Sequence, residues 1–225
     1  MKNNIDPCGK IEKTNQLYRE RANKQTVPMT CAQQLVEILR PYVKPKMTVL
    51  DVECGAGYFY HSLSELGLDY YGIDPTPEYI EIGKEALPRF GLDPERLQIK
   101  GIEEIYGKYD VVVCFNVIQH LPANLKKYLN ILADCTKQFM IIRSSFYDKD
   151  KITQEYGIDN ELPGMKFLNV TYPKSMVEMI LKEFGFHSEF FSDIYTGGCP
   201  EKLYSNNVLL YPGIYFAQRH IIVPP

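Results

Sequence analysis

The chain has 225 residues, a formal net charge of −3 and a sequence pI near 5.9, with 45% hydrophobic and 24% charged residues. That is long enough for a full-size core and ordinary for a globular protein, and no basic patch points to nucleic acid or an anionic membrane as partner. Its six cysteines (Cys8, Cys31, Cys54, Cys114, Cys135 and Cys199) form no C-x-x-C pair, which argues against zinc and iron–sulfur sites and fits reduced thiols in a cytosol.

In chain order, residues 1 to about 9 are expected to fray, and Lys10 to Lys24 reads as a polar helix with Leu17, Tyr18 and Ala22 on its apolar side. The first twenty residues lack the apolar core of a signal peptide, and the longest apolar runs are too short to span a bilayer, so a cytoplasmic protein is expected. A better helix follows over Thr30 to Arg40. Thr30 and Gln33 carry a capping-box signature there, and Ala32, Leu35, Val36 and Leu39 share one face. From Thr48 strands alternate with helices, the pattern of a parallel sheet. Val49 to Val52 is the first strand, Asp69 to Asp74 the second and Leu97 to Lys100 the third. Tyr109 to Phe115, with an unbroken apolar run, is a fourth strand buried on both faces, and Phe139 to Arg143 is the fifth. Between them, Thr76-Pro77 opens a helix with Ile80, Gly83, Leu87 and Phe90 inward, and Leu125, Tyr128, Leu129 and Leu132 define another. Ser144 to Tyr172 has no clean period and is rich in aromatics (Phe146, Tyr147, Tyr156, Phe167), as in an acceptor-side loop or lid. A helix from Pro173 to Gly185 and two strand-like runs, near Phe186 to Phe191 and Gly213 to Gln218, close the chain as an antiparallel pair.

The chemistry concentrates after the first strand, at Asp51-Val52-Glu53-Cys54-Gly55-Ala56-Gly57. Glycines at such a turn admit a ligand to the backbone, and the next helix presents free N–H groups. A dinucleotide fingerprint needs a small residue where Tyr60 stands, which weakens a nicotinamide-linked oxidoreductase. Asp74, ending the second strand, can accept both hydroxyls of a ribose, with Pro75 beside it.

This D-x-x-C-G-x-G turn resembles motif I of the class I S-adenosylmethionine-dependent methyltransferases of the small-molecule type. Asp74, the Gly101-Ile102-Glu103 turn and the Asn116-Val117-Ile118-Gln119-His120 loop follow in that family's order. The resemblance implies an α/β fold: a seven-stranded, mostly parallel, doubly wound sheet with a reversed C-terminal strand and an N-terminal helical lead-in. The resemblance covers roughly Val49 to Arg143; by length and pattern the chain reads as one domain over 1–225, with a lead-in or lid (1–46), a cofactor core (47–143), an acceptor-side insertion (144–172) and a closing helix and strand pair (173–225). The resemblance also implies S-adenosylmethionine as cofactor, held by Asp51, Glu53, Gly55, Gly57, Tyr58, Asp74, Pro75, Ile102, Glu103, Asn116 and Val117. Tyr18 and Arg21 are expected to close over its methionine end, the arginine being suited to a carboxylate. Glu53 departs from the family, which usually has glycine there: either it points away, or it accepts from the cofactor's ammonium group.

The missing Pro-Pro-Tyr or Pro-Pro-Phe after Asn116, and the missing Pro-Cys, argue against amide-, base- and cytosine-directed methylation. The expected reaction is methylation of a small molecule at a hydroxyl oxygen, with His120 as the base. N-methylation of a metabolite or protein, and a non-catalytic S-adenosylmethionine-binding protein, remain the alternatives. His61 and His187 are expected at the surface, and no metal, nucleic acid or membrane partner is expected.

Overall fold

The computed structural model describes residues 7–148, 150–158, 166–194, 201–202 and 209–220. Two helices lead in, α1 (Pro7–Ala22) and α2 (Thr30–Leu39). β1 (Thr48–Val52), a short α3 (Tyr60–Leu63), β2 (Asp69–Asp74), α4 (Pro77–Ala86) and β3 (Leu97–Ile99) make the first parallel half. β4 (Tyr109–Phe115), α5 (Leu125–Cys135) and β5 (Thr136–Tyr147) begin the second. A hairpin of β6 (Thr153–Ile158) and β7 (Lys166–Pro173) leads to α6 (Lys174–Glu183) and β8 (Phe186–Ser192). The two-residue β9 (Glu201–Lys202) pairs with the last strand, β10 (Leu209–Arg219).

The main path of the sheet runs β3-β2-β1-β4-β5-β10-β8. Its first five strands are parallel, and β10 runs antiparallel to both neighbours. This is the seven-stranded sheet with a reversed strand that the sequence implied. Burial explains the order: Val111 to Cys114 of β4 are wholly inaccessible, as a central strand covered on both faces must be. One face packs against α2, α3 and α4 through Leu35, Leu39, Phe59, Leu63 and Ile80. The other packs against α5 and α6 through Leu129, Leu132, Val177 and Leu181.

Several local expectations are corrected. Thr30 is not a cap but the first residue of α2, and Met29 at the N-cap offers no side-chain hydrogen bond. The unpatterned stretch after Ser144 folds as a continuation of β5 plus the β6–β7 hairpin, whose β7 adds parallel to the end of β5 (Phe146↔Tyr172). Phe90, expected inward, is 36% exposed because α4 ends at Ala86 and gives way to a tighter turn. The expected frayed residues 1 to about 9 lie largely outside the described residues, and α1 is already helical from Pro7. Among the described residues no helix is long and apolar enough to cross a membrane.

The packing that positions the site is the close approach of α4 to the glycine turn. A Cβ on Gly83 would sit 2.7 Å from the Ala56 carbonyl oxygen and 2.7 Å from Leu97 Cδ1. Backbone cannot yield as a side-chain tip can, so only glycine fits. Gly83→Ala, although it improves intrinsic helix propensity, is expected to destabilise the fold by about 1–3 kcal/mol in urea denaturation. A stabilised variant would show that α4 docks less tightly than described.

Candidate active site

The strand order reverses between β1 and β4, and in an open α/β sheet the crevice beyond the strand ends at such a switch is where ligands bind. Asp74, 5% exposed at the end of β2, organises this crevice. Its Oδ2 accepts the Gly55 N–H at 2.8 Å and its Oδ1 accepts the Thr76 N–H at 2.8 Å. The glycine turn and the start of α4 are thereby tied to one charge. Gly55 (φ +57°) and Gly57 (φ +70°) adopt left-handed backbone that glycine enters without penalty.

Two non-glycine residues share that conformation at the mouth of the crevice, Glu53 (φ 55°) leaving β1 and Asn116 (φ 60°) leaving β4. The register pairs Val52 with Cys114, so the two lie at the exits of neighbouring strands. For a glutamate this backbone costs about 1–2 kcal/mol. Glu53 is half-buried and accepts no hydrogen bond among the described residues; burial, and then Asp74, push its carboxyl above the usual range.

Asp51 lies behind the turn, 3% exposed, accepting a hydrogen bond from the Tyr70 hydroxyl at 2.7 Å. Burial raises its carboxyl from 3.8 to about 7, against the lowering effect of that bond. Cys54, beside it, is a buried thiol that burial and the Asp51 charge push well up.

Tyr18 of α1 lies directly on the glycine turn. A Cβ at Gly55 would be 2.4 Å from Tyr18 Cε1, and the Tyr18 ring stacks on Tyr79 of α4 with centroids 4.1 Å apart and planes at 20°. Burial, then Tyr79 and Asp74, raise the Tyr18 hydroxyl to about 12. Arg21 sits over the ring of Tyr58, 5.3 Å from its centroid. His61, expected at the surface, is 8% exposed and bonds through Nε2 to the carbonyl of Ala22 at 2.8 Å, anchoring the end of α1; burial lowers its pKa.

At the other end of the crevice Ile102 is buried and Pro75 exposed. Glu103 is exposed and ion-paired with Lys127, while Glu104 accepts the Gly101 N–H at 2.9 Å. Beyond β4, Val117 is buried and Asn116 Oδ1 accepts from the Arg143 guanidinium. Arg143 also pairs with Asp193, a carboxylate wholly inaccessible to solvent. The Gln34 side chain of α2 reaches the same corner, donating to the Ser192 carbonyl at 2.7 Å and accepting from the Ile194 N–H at 3.1 Å. Arg143, Asp193 and Gln34 escaped sequence reading, since only an arginine ending an apolar strand hinted at them. His120 is exposed, with Nδ1 3.0 Å from the Leu168 carbonyl of β7. Among the described residues no group of His, Cys, Asp or Glu could hold a metal ion.

The sheet order, the reversed β10 and the helices on both faces make this the Rossmann-like α/β fold that methyltransferases share. Residues 50–138, from β1 to the start of β5, match the family described as methyltransferase domain. Among curated relatives, the chain is 29% identical over 136 residues to ribosomal protein L11 methyltransferase of Thermosipho africanus, covering 60% of this chain and 46% of that one. It is 29% identical to the mitochondrial ubiquinone biosynthesis O-methyltransferase of Saccharomyces cerevisiae (38% and 29% covered). It is 26% identical to the tRNA U34 carboxymethyltransferase of Campylobacter jejuni (51% and 41%). The matched stretch is thus less than half the length of each relative. A crystallised S-adenosylmethionine-dependent methyltransferase from Clostridium acetobutylicum has the same fold, with TM-score 0.63 at 15% identity over 94% of this chain and 99% of that one. With a relative named for tRNA, the acidic balance does not exclude a nucleic-acid partner.

Asp51 generates a pH signature. Native protein holds a proton that the unfolded chain releases between about pH 4 and pH 7, so stability present at low pH is lost as pH rises through that window. Asp51→Asn is expected to flatten this decline when urea midpoints are compared from pH 4 to pH 8. An unchanged slope would remove Asp51 as its source.

Proposed function

We propose that the chain transfers a methyl group from S-adenosylmethionine to a small-molecule acceptor at a hydroxyl oxygen. The observation that carries the reading is the glycine turn clamped by Asp74 at the switch point, within the segment matching the methyltransferase family. The residues fit the cofactor's chemistry. Gly55 presents bare backbone in left-handed conformation, and Glu53 and Asp74 stand beside it, matching a ligand with sulfonium and ammonium groups. When bound, S-adenosylmethionine supplies a methyl group on a positively charged sulfur, open to in-line attack.

Each residue then has a role. Asp74, with both oxygens already oriented by backbone N–H groups, keeps lone pairs for the ribose hydroxyls. Ile102 offers an apolar contact to the adenine; Glu103 would have to leave Lys127 to accept from its amino group, and Pro75 flanks it. Gly57 lets the turn close, Tyr58 backs Arg21, and Arg21 takes the methionine carboxylate. Asn116 and Val117 run beneath the methionine portion. Nδ1 of His120 faces the Leu168 carbonyl, an acceptor, so Nδ1 donates there and Nε2 is the nitrogen that would take the methyl acceptor's proton. The relative named as an ubiquinone O-methyltransferase supports an oxygen acceptor. A macromolecular acceptor is the second reading, favoured by the relatives named for a ribosomal protein and a tRNA.

Titration calorimetry with S-adenosylmethionine and S-adenosylhomocysteine is expected to give saturable, micromolar binding of both. No binding by the folded protein, nor by its Tyr18→Ala variant, would overturn the reading. Against hydroxylated small molecules, His120→Ala is expected to lower turnover by about 10²–10⁴-fold with S-adenosylhomocysteine affinity unchanged. Undiminished turnover would dismiss His120 as the base.

A further inference from the structure

We propose that Tyr18 is an intramolecular occupant of the cofactor's cradle, so that α1 and the cofactor compete for Gly55. The proposal rests on the cofactor reading above and adds to it a gate built from the chain itself.

The geometry is a direct contact. Tyr18 Cε1 stands 2.4 Å from where a Gly55 Cβ would be, so the ring touches the glycine itself. A layer of ligand atoms is about 3.5 Å thick, and none fits between them. The stack on Tyr79 holds the ring in that place, beside the carboxylate meant for the ribose. Tyr18, expected to close over a bound cofactor, rests instead on the glycine turn that would hold it.

The helix that carries Tyr18 lies along α4, outside the sheet. Of its described side chains only Ala22 is fully part of the core, and Tyr18 packs against that core while partly buried. Its Arg19–Glu85 pair is exposed, at 3.4 Å, and such pairs contribute little. The firm anchor is at the C-terminal end, where His61 holds the Ala22 carbonyl, followed by Lys24 in left-handed backbone (φ 57°). A polar helix pinned at one end, joined to a buried α2, can lift its Tyr18 turn without disturbing the sheet. Apparent cofactor affinity is then the intrinsic affinity reduced by the fraction of molecules with Tyr18 withdrawn.

The sequence contains no tryptophan, so Tyr18→Trp in the full chain places a single indole on the gate. Its emission is expected to shift on adding S-adenosylhomocysteine, and a silent indole would overturn the gate. In stopped-flow titration, Tyr18→Ala is expected to bind S-adenosylhomocysteine about tenfold faster than the unsubstituted protein and more tightly. Equal, slower or weaker binding would overturn the proposal and favour a tyrosine that clamps the bound cofactor. Binding by Tyr18→Ala alone would support both gate and cofactor reading. No binding by any form would overturn the cofactor reading, and the gate with it.

Discussion

The carboxylate of Asp74 accepts the Gly55 N–H through one oxygen and the Thr76 N–H through the other, and the ligand crevice takes its shape from those bonds. Hydrogen bonds to a charged, desolvated group are each worth about 1.5–3 kcal/mol, enough to set the course of a glycine-rich turn that has little conformational preference of its own. With the turn fixed, α4 can dock through Gly83 onto the Ala56 backbone, and β1, β2 and α4 behave as one unit. The same charge reaches Glu53, whose carboxyl it raises together with burial. A crevice holding several acids suits a ligand with more positive than negative groups.

A second corner faces the first across the switch point. Asn116 leaves β4 in left-handed backbone, and its side-chain oxygen must be the atom facing Arg143, since a guanidinium only donates. Arg143 is held in turn by the buried Asp193, and Gln34 ties that corner to α2. Left-handed backbone thus stands on both lips of one crevice, costly only for the glutamate, and strain of that kind clusters at ligand sites. The two lead-in helices also part company here: α2 is built into the core and the Arg143–Asp193 corner, while α1 rests on the glycine turn through one aromatic ring.

Much of the scaffold was legible because burial writes itself into hydrophobic periodicity. The unbroken Val111–Cys114 run could only be a central strand, and Leu125, Tyr128, Leu129 and Leu132 could only be one helix face. The β6–β7 hairpin was not legible, because it is held by pairing to its own partner and to the end of β5 rather than by a patterned buried face. The burial of His61 was missed for a related reason: its partner is a backbone carbonyl from another helix, and sequence carries no sign of that bond.

The succession of strands and helices, the glycine turn and the acid closing β2 follow from local propensity and patterning, which act over a few residues and survive in a bare sequence; the sheet with its reversed strand was legible only through the family resemblance. Whether Glu53 is strained, which atom of Asn116 faces inward, and that Tyr18 lies on Gly55 depend on contacts between residues far apart in the chain. Such contacts arise only when the elements pack, so tertiary structure alone decided how the crevice is charged and what covers it.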